Sequence, residues 1–134
     1  MTRLRVRTSE RSCMVDVTPQ IRRAVDASGV QSGICLVCVP HTTAGVTVNE
    51  GADPAVVEDI LTHLDKLVPR GAAYRHEEGN SAAHIKATLV GQSAEILVES
   101  RQLVLGTWQA IFLCEFDGPR EREVLVKVVQ TPDR

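Results

Sequence analysis

Three histidines sit where imidazoles do chemistry more often than packing. His41 opens the stretch His41-Thr42-Thr43-Ala44-Gly45, and His76 and His84 bracket HEEGNSAAH. Each lies among small polar residues, in a loop or near a helix start, where functional groups concentrate. Neutral imidazole is the commonest protein ligand for zinc and similar ions. Three imidazoles leave a fourth position for water or substrate, the pattern of a catalytic metal site. The gap between His76 and His84 matches no compact metal motif, so spacing alone leaves solvated loop histidines as the competing reading.

Further polar groups follow His41: the hydroxyls of Thr42 and Thr43, the amide of Asn49, and the carboxylates of Glu50 and Asp53. Asp53 precedes Pro54 and is better explained as a helix cap. Thr47 and Asn49 equally suit a strand end. Glu50 is the general-base candidate beside His41. In Trp108-Gln109 a strand sends the two side chains to opposite faces; Gln109 is the polar-site candidate, and Trp108 reads as core or subunit contact. A helix starting near Asn80 offers unpaired N–H groups and a positive dipole end, favouring a phosphate or carboxylate beside His84. Gly71, Gly79 and Gly91 are too dispersed for a recognised phosphate loop.

Two tempting features carry less. Cys35-x-x-Cys38 has the spacing of a zinc knuckle or redox pair, but residues three apart on a strand face opposite ways. His63 falls mid-helix between Asp59 and Lys66, off the apolar stripe, and reads as solvated.

These residues must be held by elements that the hydrophobic pattern predicts. Residues 2–8 alternate as a half-buried strand, and a short strand runs from Cys13 to Val17. Thr18-Pro19 caps a helix that Gly29 stops. GICLVCV, 33–39, reads as a strand buried on both faces. A polar loop from Pro40 to Gly45 follows, and alternation resumes at 46–48. Asp53-Pro54 opens the longest helix, which ends before Pro69. Residues 69–80 form an irregular loop. Asn80 or Ser81 caps a further helix with Ala82, Ile85 and Leu89 on one face and Gly91 at its end. EILVE, QLVL, TWQAIFLCEF and EVLVKVV are strands, the last two predicted to form a long hairpin about Asp117-Gly118-Pro119-Arg120. The order predicts an α+β fold: a mainly antiparallel sheet with two or three helices, in one domain spanning 1–134.

The composition, 43% hydrophobic and 24% charged with a net charge of -2, suits a globular protein and gives no electrostatic footprint for nucleic acid or an anionic membrane. No stretch reaches the roughly 20 apolar residues of a bilayer span, and no apolar leader opens the chain. Four cysteines in or beside apolar runs fit a reducing compartment, so a cytoplasmic location is expected.

HTTAGVTVNEGADP, HEEGNSAAHIKATLVGQS and LVLGTWQAIFLCEFDGPR together resemble the YjbQ family, formerly an uncharacterised family and associated with a secondary thiamine-phosphate synthase activity. The resemblance covers nearly the whole chain. It implies helices with an extensive sheet, assembled as a homotrimer. It also implies a pocket containing His41, Asn49, Glu50, His76, Asn80 and His84, with a divalent metal, zinc or magnesium, at the histidines. The expectations are therefore His41 and Glu50 as catalytic groups, and Thr42, Thr43, Asn49, Asn80 and Gln109 as contacts to a small phosphorylated substrate. His41, His76 and His84 are the expected metal ligands. Three functions stay open: synthesis of thiamine phosphate with release of pyrophosphate, metal-assisted hydrolysis or transfer on another phosphorylated metabolite, and non-catalytic trimeric binding of a metal or anion.

Overall fold

A computed structural model describes residues 1–132; positions 133 and 134 of the expected domain lie outside the described residues. Alternation sets the first strand, β1 (Thr2–Arg7), which buries Val6 and leaves Arg3, Arg5 and Arg7 in water. Then come β2 (Cys13–Asp16), α1 (Thr18–Ser28), β3 (Gly33–Cys38), β4 (Ala44–Glu50), α2 (Pro54–Leu67) and α3 (Ser81–Val90). The chain continues through β5 (Ser93–Glu99), β6 (Gln102–Leu103), β7 (Gln109–Glu115) and β8 (Glu121–Gln130). All strand pairs are antiparallel, in a five-stranded sheet ordered β1-β8-β3-β5-β6 and a three-stranded sheet ordered β2-β7-β4. Among the described residues no helix is long and apolar enough to cross a membrane.

The core fills the space between the sheets. Cys35 and Val37 of β3 and Val124 and Val126 of β8 meet Val46 of β4, Ile111 and Leu113 of β7, and Ile21 and Val25 of α1. On its other face the three-stranded sheet carries a second cluster, Ala83, Ala87, Ala110, Phe112, Cys114 and Phe116, against which Val57, Leu61 and Leu64 of α2 pack. β7 thus feeds both clusters and is the strand buried on both faces. β3, expected in that role, buries Cys35 and Val37 but leaves Ile34 and Leu36 half-buried and Cys38 exposed. The two sulfurs do face opposite ways.

The predicted hairpin of the last two strands is not formed, because β7 and β8 lie in different sheets. Their patterns demand this. β7 is apolar on both faces and needs cover on both, whereas β8 alternates, burying Val124 and Val126 while Glu121 and Lys127 stay exposed. Ile111 and Leu113 are completely buried, at about 1.5–3 kcal/mol each, so any pairing that uncovered that face loses several kcal/mol.

Helix ends follow ordinary chemistry except at the starts of α1 and α3, which have no side-chain cap. Asp53 caps α2, accepting from the Ala55 N–H at 2.9 Å, and Gly29 ends α1 in the left-handed conformation, as expected. Thr18 does not cap α1; Val17 holds that position, and the Thr18 hydroxyl accepts from the Ile111 N–H at 2.8 Å. In α3 the buried face is Ala82, Ala83, Lys86 and Ala87, not the expected Ala82, Ile85 and Leu89; Leu89 is 56% exposed. Small side chains let α3 approach the sheet closely. At the contact, a Cβ on Gly45 would meet the Gly91 carbonyl oxygen at 2.5 Å, and the Val46 N–H donates to that same carbonyl at 3.0 Å.

Candidate functional site

The site is built at the end of β4 where its glycine receives α3. His41 lies in the connection from β3 to β4, half-buried, its Nε2 accepting from the Glu123 N–H at 2.9 Å. Beneath it an ion pair joins β7 to β8. Glu115, 0% exposed, accepts from Arg122 Nε at 2.9 Å and from the Thr8 hydroxyl at 2.7 Å. Arg122 also donates to the Thr43 hydroxyl at 2.8 Å and its carbonyl at 3.3 Å. This network ties the His41 loop to both sheets.

From the other side, α3 and the loop before it bring His84 and His76. Their rings stand perpendicular with centroids 5.3 Å apart, and His76 Nε2 lies 3.8 Å from Glu78 Oε2. Asn80 occupies the cap position of α3 but does not cap it; its Nδ2 donates to Asp117 at 3.0 Å instead. Its Oδ1 is the one buried side-chain polar atom without a hydrogen bond among the described residues. The resulting cleft, about 450 Å³, is lined by His41, Thr42, Thr43, His76, Asn80 and His84 together with Glu78, Asp117, Arg120 and Arg122.

Six expected site residues are thus brought together, though Thr43 is buried and committed to Arg122. Asn49, Glu50 and Gln109 are not among them. Glu50 pairs with Gln109 in register at the far end of β4, roughly 20 Å along the strand from the histidines. There Glu50 accepts from the Ala52 N–H at 2.8 Å, Asn49 from the Glu50 N–H at 2.7 Å, and Gln109 from the Gly106 N–H at 2.8 Å. Trp108, beside them, is 64% exposed and therefore not core. His63 is exposed on α2, as expected.

Arg122, Glu115, Asp117 and Arg120 were not singled out from the sequence. Arg122 left a trace: it shares strand parity with Val124, Val126 and Val128, so a charge stands where the pattern expects an apolar side chain.

Electrostatics follow from this packing. Burial, then the Arg122 guanidinium, push the His41 imidazole below its ordinary value, only partly opposed by Glu123 and Glu115. Neutral His41 suits its hydrogen bond, since Nε2 can accept only when unprotonated, leaving Nδ1–H as the donor. Its folded value lies below the unfolded one, so its contribution to stability is complete above the ordinary histidine range and lost as pH falls through the lowered value. In a pH titration followed by NMR, His41 should titrate below an ordinary histidine; a midpoint at or above about 6.5 would contradict this reading. Asp117 is raised by burial but more strongly lowered by Asn80, Arg120 and Arg11, leaving it below the usual carboxylate range.

The donor set fits an ion only in part. Among the described residues no three His, Cys, Asp or Glu side chains converge on one point. His76 and His84 stand at the centroid separation, about 5 Å, that two imidazoles on one zinc require. His41 does not join them, because its Nε2 lone pair is taken by Glu123.

Residues 2–131 match the family model described as UPF0047 protein YjbQ-like. The chain belongs to the YjbQ family. A UPF0047 protein of Methanocaldococcus jannaschii is 50% identical over 124 residues, covering 92% of this chain and 90% of its relative. YugU of Bacillus subtilis is 45% identical over 127 residues, covering 94% and 96%. The solved structure of an uncharacterised YjbQ/UPF0047 family protein of Clostridium acetobutylicum superimposes with a TM-score of 0.95 at 50% identity, covering 96% of this chain and all (100%) of that one. A YbjQ-like protein of unknown function from Sulfolobus solfataricus gives 0.94 at 37% identity, covering 97% and 96%. These likenesses to the YjbQ family establish the α+β architecture with antiparallel sheets.

Proposed function

We propose that the histidine cleft binds a small phosphorylated molecule, and that the chain is a transferase joining a pyrimidine-methyl diphosphate to a thiazole phosphate. In that reaction the thiazole nitrogen attacks the pyrimidine methylene carbon. The carbon–oxygen bond to the diphosphate breaks, giving thiamine phosphate and pyrophosphate. Departure of pyrophosphate requires donors where negative charge grows. The observation that carries the reading is convergence: histidines from two separate segments meet Arg120 at the first turn of α3, which has no side-chain cap. Arg120 donates to Asp117 at 3.0 Å and remains exposed, so it can also reach a ligand. The test supplies both substrates and measures thiamine phosphate and pyrophosphate together. Release of phosphate without coupling supports hydrolysis instead, and stable binding without turnover supports a binding protein.

A second reading, favoured by the His76–His84 spacing, places a divalent ion there, zinc in preference to magnesium because imidazole suits zinc. When bound, it would neutralise phosphate charge. His41 completes the set only by leaving Glu123. Wild-type protein titrated with zinc should bind about one ion per chain, and His76→Ala should weaken binding by about tenfold or more; equal affinity in the variant removes the ion from this site.

The far position of Glu50 supports assembly. A homotrimer arranged head to tail would set the Glu50 end of one protomer, with exposed Trp108, against the histidine end of the next; contacts of this kind close into a ring when the rotation between protomers is a third of a turn. Glu50 then serves as general base in a neighbouring cleft.

A further inference from the structure

Asn80 also borders a second cavity of about 400 Å³, with Arg11, Asp65, Arg70, Lys86 and Phe116 in its wall. Lys86 is the unusual member. It is 5% exposed, on the alanine face by which α3 packs, and its Nζ bonds to Asp65 of α2 while lying 5.9 Å from the centre of the Phe116 ring. Asp65 is itself 62% exposed, so the pair is lopsided: a nearly buried ammonium faces a carboxylate that water already solvates. As packing alone this arrangement is poor, because an apolar side chain would join α2 to α3 without the cost of desolvating a charge. An ammonium carries three donors, and Asp65 takes one.

Two further cations, Arg11 and Arg70, line the wall. Arg70 follows α2 and has no carboxylate within 4.0 Å among the described residues, while Arg11 reaches Asp117 only at 4.0 Å. Three cations therefore share the cavity with one lining carboxylate, Asp65. In a semi-enclosed space such an imbalance concentrates an anion, and Lys86, a donor already held by packing, binds it with little ordering cost.

We propose that this cavity is an anion subsite that takes a phosphoryl or carboxylate group, with Lys86 as its fixed donor and Arg70 and Arg11 closing over the group. Because Asn80 lines both cavities, the subsite stands one side chain away from the histidine cleft. If the transferase reading above holds, the two cavities would seat the charged groups of two substrates at once; the subsite itself does not depend on that reading.

Titration of the intact protein with inorganic phosphate, and separately with acetate, tests it by following the backbone amide signals of Ser12 and Lys86. One of the two anions should shift both signals along a single saturating curve, and the tighter names the ligand class. Arg70→Ala, an exposed position that leaves the fold intact, should raise the midpoint by about tenfold, as should Lys86→Met, while His84→Ala leaves it unchanged. Unmoved signals at tens of millimolar anion overturn the proposal. So do an unchanged midpoint in Arg70→Ala and loss of the shifts in His84→Ala, which would assign the ion to the histidine cleft.

Discussion

Replacing Arg122 with methionine should destabilise the chain by about 3–5 kcal/mol, measured as the shift in denaturant midpoint multiplied by the slope. Glu115 is fully buried, and the substitution removes its main partner while the Thr8 hydroxyl and two N–H groups remain. Against a total of about 5–15 kcal/mol, that loss threatens folding at ordinary temperature. The size of the pH dependence provides a second readout. In the intact protein, burial raises the Glu115 carboxyl, but hydrogen bonds from Arg122, Thr8 and the Asp117 N–H outweigh it and leave the group below its ordinary value. The associated stability is present above the usual carboxylate range and lost as pH falls through the lowered value. Without Arg122 the burial contribution is opposed only by the Thr8 hydroxyl and the backbone N–H groups. The variant should then lose less stability than the parent as pH falls through the carboxylate range. Replacing Glu115 and Arg122 together by leucine and methionine should recover most of the loss, since no charge is then left unpaired.

Mixing two inactive variants should restore activity if the catalytic groups come from neighbouring protomers. Glu50→Gln should reduce turnover by about 100-fold or more, the usual scale for losing an acid–base group, and His84→Ala should reduce it comparably by removing an imidazole that lines the cleft. Unfolded and refolded together in equal amounts, they should regain about a quarter of the parent rate. Within a ring each cleft has one chance in two of an intact His84 and one in two of a neighbour's intact Glu50. Absence of recovery would place Glu50 outside the cleft's chemistry.

The strands were legible because alternation reports burial directly, as in β1 and β8. Their partners were not, because a short connection such as 116–120 is compatible both with a hairpin and with a crossing between sheets. What separates the two is that β7 must be covered on both faces, a property of the assembled layers. In α3 the apolar count favoured Ile85 and Leu89, whereas close approach to Gly45 selected the alanines, and size outweighed hydrophobicity. His41, His76 and His84 were readable as a group from residue type and setting. Glu50 was misleading in one protomer because nearness in sequence to His41 is lost along an extended strand. Lys86 was invisible, since a lysine in a helix is ordinarily solvated and only its packing shows otherwise.

The most direct test of the cleft is a pyrophosphate titration at neutral pH that follows the imidazole signals of all four histidines. His41, His76 and His84 should move together with one midpoint, while His63, exposed on α2, stays fixed. If the three do not move at saturating pyrophosphate, or if His63 moves with them, the cleft is not the binding site.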